Sequence, residues 1–245
     1  MNAIAAPPLV GLAGLLDQIG GGKRVYAAGR AGSFAEQGFR SAWAQLCSGI
    51  DVERIARRKT AAAVAAVRLA AVDVATLHRV GLRSTEALAI LRRAVDEVAE
   101  PLTGTQREWL DDGLGLLVAE QPAVGEVPPF VRALCVQPRA MPELRGQGRF
   151  VSAPVSHAEH SWAVAVGGAL FAEPFRADPA DAFLVGLAHH LHNALLPDAG
   201  LGGEALLGDA LPMVRARCAD EALAQLDPPL RDDIQHALLA TRDAE

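Results

Sequence analysis

Aromatic side chains make up only 4% of this 245-residue chain, with a single tyrosine among them. So few rings argue against the stacking platforms on which single-stranded nucleic acids lie. Cysteine is scarce as well. Cys47, Cys135 and Cys218 are far apart, odd in number and form no CxxC pair; they read as buried, reduced thiols of a cytosolic protein. Positive charge is in deficit, with a formal net charge of −6 and a pI of about 5.7, which argues against a general nucleic-acid binder. No long apolar run is present. The stretch Met1 to Leu16 lacks a basic leader and is interrupted by Pro7-Pro8 and Gly11, so neither a signal peptide nor a membrane span is expected, and the expected compartment is the cytoplasm. Gly20-Gly21-Gly22-Lys23 is not a phosphate-binding loop, because the upstream glycine is missing and Arg24 stands where Ser or Thr is needed. Lysine is rare beside abundant Ala, Arg, Leu and Val, a composition associated with GC-rich bacterial genomes.

Helix signals dominate what remains, and half the residues are hydrophobic, enough for a sizeable core. The expected class is all-α, a helical bundle. Asp51 is placed to cap a helix running to about Arg79. Its Arg54, Arg57, Arg58 and Lys59 read as a solvated face. Thr85 opens another helix ended by Pro101, and Thr105 to Glu108 fits a capping box. Gln121 to Pro129 reads as a loop, and Val131 to Val136 as a short strand. Pro138 to Phe150 carries Pro, Gly and Arg and gives the expected boundary between an N-terminal helical region (1–150) and a C-terminal helical domain (151–245). Beyond it, Ser156 to Glu159 is a capping box for a helix to about Ala172. Asp178-Pro179 is an N-cap followed by proline at the first helical position, for a helix to about His192. Asp198 to Gly203 reads as a Gly-rich turn. Helices are then expected over Leu211 to Leu226 and, after Asp227-Pro228, to about Ala240.

Five of the seven histidines fall into two short segments, His157 with His160 and His189-His190 with His192. Imidazole binds transition metals well, and clustering is what a metal site needs and a packed core does not. His157 and His160 are three apart, on one side of a first helical turn; His189 and His192 repeat that spacing. Within a helix, His190 is turned about 100° from His189. Gly167-Gly168, costly mid-helix, would let a second helix approach and bring the clusters together.

The segment Glu159 to Asn193 resembles the HD superfamily of metal-dependent phosphohydrolases. Glu159-His160-Ser161 is similar to the helix bearing the family's first histidine. The apolar run Ala182 to Ala188 leading into His189 is similar to its second, and Leu196-Pro197-Asp198 to the Ile-Pro-Asp of some members. The resemblance covers residues from about Ser152 to the C-terminus. It implies an HD-like domain at 151–245 and a metal-dependent hydrolase of a phosphorylated small molecule or nucleotide. The implied cofactor is a divalent transition metal (Fe, Mn or Zn). His160, His189, His190 and His157 are the candidate ligands, and His192 and Asp198 the candidate acid–base residues. The expected partner is a small-molecule phosphate ester, with no nucleic acid or membrane, and a homo-oligomer is compatible with the reading.

Three departures bear on this. The family's defining aspartate is His190 here. A neutral imidazole binds one metal and cannot bridge two, so a single-metal or otherwise unusual site is expected in place of the family's binuclear one. The family's distal aspartate has no unique counterpart: Asp220, Asp232, Asp233, His236 and Asp243 are candidates. Asn193 stands where a lysine often follows the motif. Two rival readings therefore stand beside the hydrolase: a non-catalytic HD-like sensor or interaction module, and an HD-fold di-iron oxygenase, against which the missing carboxylates weigh.

Overall fold

A computed structural model of the chain describes residues 9–27, 29–120, 125–139 and 155–242. The protein is all-α. Among the described residues there is no β-strand, only an isolated antiparallel bridge between Pro138 and Ser156.

The N-terminal helices are α1 (Leu9–Gly20), α2 (Phe34–Cys47), α3 (Val52–Leu69), α4 (Val74–Arg79), α5 (Ser84–Asp96), α6 (Gly104–Ala119) and α7 (Pro129–Val136). In α1, buried Leu12, Leu15 and Ile19 mark one face; in α2, Phe39, Ala42, Trp43 and Leu46 do the same, the spacing of an amphipathic helix. Asp51 caps α3 by accepting the Arg54 amide at 3.1 Å, as expected. The expected continuous helix from Val52 to Arg79 is instead two. Ala70 takes φ +50°, and Asp73 caps α4 through the Thr76 amide at 2.8 Å. No Gly or Pro announces the break; the one local sign is Asp73, a strong N-cap type.

Two further expectations are corrected. The capping box of α6 uses Thr103 and Gln106 rather than Thr105 and Glu108. Gln106 also donates to the Leu170 carbonyl at 2.6 Å, so tertiary contact selects the earlier cap. Residues Val131 to Val136 form helix α7, not a strand. Pro129 stands in its first turn, and the orphan amide of Phe130 is satisfied by Gln225 Oε1 at 3.0 Å, a partner 95 positions away.

The C-terminal helices are α8 (His157–Phe171), α9 (Pro179–Ala188), α10 (Gly200–Leu207), α11 (Leu211–Leu223) and α12 (Pro228–Arg242). The capping box expected at Ser156 and the N-cap expected at Asp178 are both present. Ser156 and Glu159 exchange both bonds, and Asp178 accepts the Ala180 and Asp181 amides ahead of Pro179. The expected turn at 200–203 is instead the first turn of α10, with Asp198 Oδ1 accepting the Gly200 amide at 3.0 Å. Residues 140–150 of the expected boundary and the distal candidate Asp243 lie outside the described residues.

Buried residues from both sides of residue 150 belong to one apolar cluster. Trp43 meets Phe130 edge-on at 4.9 Å, and Trp162 meets Phe183 at 6.2 Å. Helix α3 runs through this assembly, packed on α5, α6, α8 and α9. The basic run on α3 is only partly the expected solvated face. Arg54 and Arg57 pair with Glu120, Glu53 and Asp112, but Arg58 is 3% exposed and Lys59 is half-buried against α2. No helix among the described residues is long and apolar enough to cross a membrane.

Candidate metal centre

The close pairing of α8 with α9 builds the site. A Cβ on Gly186 would lie 2.4 Å from the Ala165 Cα, and one on Gly168 would lie 2.9 Å from the Ala182 carbonyl oxygen. Each helix thus presents a glycine to the other's backbone, and the axes come closer than larger residues allow. The role expected of Gly168 holds; Gly167 instead faces Leu16 of α1. At this separation His160, one turn into α8, meets His189 at the end of α9.

The expected helix through His192 ends early. His189 is its C-cap, and His190, at φ −110° and ψ 20°, has left α-helical geometry for a 3-10 turn over Leu191–Ala194. Adjacent residues inside a helix diverge. Outside it, the His189 and His190 rings come to 4.1 Å between centroids, instead of being splayed by the helical step. The turn is held by α7 and α11, which pack against it.

Ligand nitrogens of His160, His189 and His190 all lie within 4.8 Å of one another. His189 Nε2 is 3.3 Å from His160 Nε2, the separation two nitrogens take at about 2.0–2.1 Å from one tetrahedral ion. Two bonds set the ring orientations. His189 Nδ1–H donates to the Gly186 carbonyl at 2.7 Å, and His190 Nδ1–H donates to Asn193 Oδ1 at 3.0 Å. Asn193 is itself held by donating to the Leu196 carbonyl at 3.1 Å. Both rings therefore keep the proton on Nδ1 and leave the Nε2 lone pair for a cation, the arrangement of metal-ligating histidines. The donor set fits a borderline divalent ion such as zinc or iron better than magnesium or calcium.

Burial holds these imidazoles neutral. It pushes His160 down to about 3, helped by the charge of Arg139, and His190 down to about 2, helped by the neighbouring histidines. His189 is lowered by burial against the opposing effect of the Gly186 carbonyl. Neutral imidazole is the form that ligates.

His157 stands beside the trio rather than in it. Its ring lies 4.9 Å from that of His190, and it is fully buried. Its Nε2 is 3.5 Å from Asp198 Oδ2, and neither ring nitrogen has a hydrogen bond. Burial pushes it down to about 4 despite Asp198. The His192 ring is 5.7 Å from that of His190, and burial and Arg215 lower it to about 4. Asp198 thus adjoins the cluster through His157. Asp220, Asp232, Asp233 and His236 are exposed and outside the trio. No carboxylate joins His160, His189 and His190 among the described residues.

Three contributors escaped sequence reading. Asn193 orients His190; its position three residues on was the available signal. The Gly186 carbonyl fixes His189 only because α9 ends there. Arg139, from the segment after α7, acts electrostatically on His157, His160 and His189, and nothing in its local sequence points to the site. No known protein family, curated protein or solved structure matches this chain.

Proposed function

We propose that the protein is a metal-dependent hydrolase of a phosphorylated small molecule or nucleotide, of HD-like type, with one divalent cation held by His160, His189 and His190. The observation that carries this reading is the convergence of three neutral imidazoles, two of them with their second nitrogen already donated to an oxygen. A cation held there supplies Lewis acidity toward a water and a phosphoryl oxygen. The chain's own groups do the rest. Arg139 and Lys23 act on His160, and positive charge on that side of the trio favours an anionic substrate; Arg215, which acts on His192, is paired with Glu204. Asp198 and His192 flank the trio as the groups to accept and return a proton. Buried His157 lies beside Asp198, with its Nε2 3.5 Å from Asp198 Oδ2.

The all-imidazole trio also favours a second reading, an HD-like module that binds metal without turnover, because no carboxylate is present to bridge two ions. The same feature gives the di-iron oxygenase reading no support. The experiment is elemental analysis of purified protein, followed by release of phosphate from p-nitrophenyl phosphate and nucleotides after loading with manganese, iron or zinc. Stoichiometric metal and turnover, both lost in His189→Ala, support the hydrolase. Metal without turnover supports the module. Full activity in metal-free protein sinks both.

A further inference from the structure

The chain contains two lysines, Lys23 and Lys59, and the second is used in an unusual way. Lys59 projects from α3 toward α2, half-buried, and its Nζ lies 2.6 Å from Ser41 Oγ. No carboxylate pairs with it among the described residues. A lysine amine removed from water without a counter-charge is disfavoured as the ammonium. Burial and the neighbouring Arg58 together bring Lys59 down to about 7. Ser41 is itself held: Gln45 Nε2 donates to its Oγ at 2.9 Å, and Gln45 Oε1 accepts from Arg58 at 3.4 Å, which fixes the amide's direction.

The pair borders space. Lys59 and Ser41 line a cavity of about 220 Å³ with Phe34, Ala62, Leu117 and Trp162. Ser41 also lines a second cavity of about 410 Å³, to which α3 contributes Ala62, Ala65 and Ala66. The charged groups facing Lys59 are few. Arg58 precedes it on α3. Arg30 and Asp73, which line the same cavity, are bonded to each other at 2.5 Å and leave no net charge there. The trio of histidines does not line this cavity.

We propose that Lys59 is a covalent binding site for a small aldehyde or ketone, with Ser41 as its proton relay. The Lys59 lone pair attacks the carbonyl carbon and forms a C–N bond as the C=O π pair moves to oxygen. The proton lost from nitrogen reaches that oxygen through the Ser41 hydroxyl, giving a carbinolamine. Loss of hydroxide with a proton, as water, leaves the imine. No oxidant or reductant is consumed. The apolar walls select a small substituent on the carbonyl and keep bulk water from the imine.

The test is reductive trapping on the full-length protein with propanal and cyanoborohydride at pH 7, followed by peptide mapping, with Lys23 as internal reference. Lys59 should be modified at least about tenfold faster than Lys23, because its lowered pKa leaves a large share of the amine unprotonated and nucleophilic at that pH. Equal rates, or no modification of Lys59, overturn the proposal. Ser41→Ala, checked for native helicity by circular dichroism, should slow Lys59 modification by about tenfold or more while leaving Lys23 unchanged. An unchanged Lys59 rate removes Ser41 from the relay and overturns that part. Because the readout is trapping at Lys59, it is independent of the metal content that tests the histidine site.

Discussion

His189 Nε2 lies 3.3 Å from His160 Nε2, although the two residues are 29 positions apart and belong to different helices. With the His189 proton committed to the Gly186 carbonyl, its Nε2 presents a lone pair. His160 must either donate to it or share a cation with it. The second arrangement satisfies His190 as well, which a single hydrogen bond does not.

Replacement of a ligand gives the direct test. His189→Ala and His160→Ala should each lose bound metal, measured by elemental analysis. Both residues are only partly buried and end or begin their helices, so the far-ultraviolet circular dichroism spectrum should be retained. Full metal occupancy in either variant counts against the trio.

Asn193 should matter without touching the ion. Asn193→Leu removes the acceptor for His190 Nδ1–H and frees the ring to turn. Loss of such an orienting partner weakens metal binding by about 10–100-fold. Competition titration against a chelator would measure it; unchanged affinity would show that the turn alone orients His190.

The helix contact should tie stability to metal binding. Gly186→Ala forces a methyl against the Ala165 backbone. Such overpacking costs about 1–3 kcal/mol and moves His189 away from His160. Gly115, in the interior of α6, has open space where a Cβ would go; Gly115→Ala should instead stabilise by up to about 1 kcal/mol through helix propensity. Urea denaturation of both variants distinguishes packing from propensity.

Stability should also depend on pH through Lys59. Its folded value of about 7 lies below the ordinary lysine value, so between those limits the unfolded chain holds a proton that the folded chain has released. Stability contributed this way rises with pH through that window and is lost as pH falls toward 7. Relative to Lys59→Met, the wild type should therefore gain a few degrees in melting temperature between about pH 7 and 9. A constant difference would mean that the Lys59 amine titrates normally.

Much of the helical plan was legible locally. Asp51, Ser156 and Asp178-Pro179 each satisfy orphan amides with their own side chains or remove the need for one, so these helix starts follow from neighbouring residues. So does the clustering of five histidines, and with it the expectation of a metal site. What stayed hidden depended on distant partners. The helix over Pro129–Val136 is capped by Gln225, the start of α6 is chosen by the Leu170 carbonyl, and a charged run on α3 conceals an amine turned inward toward Ser41. The histidine site divides along the same line. Sequence alone determined which imidazoles were available. Tertiary packing decided which of them meet: two glycines bring α8 and α9 together, and the end of α9 at His189 turns His190 inward. His157 is left beside Asp198, and the exposed acids of α11 and α12 stay outside the trio. Sequence spacing constrains side chains only within a turn or two, whereas a ligand set is closed by backbones that approach from far along the chain.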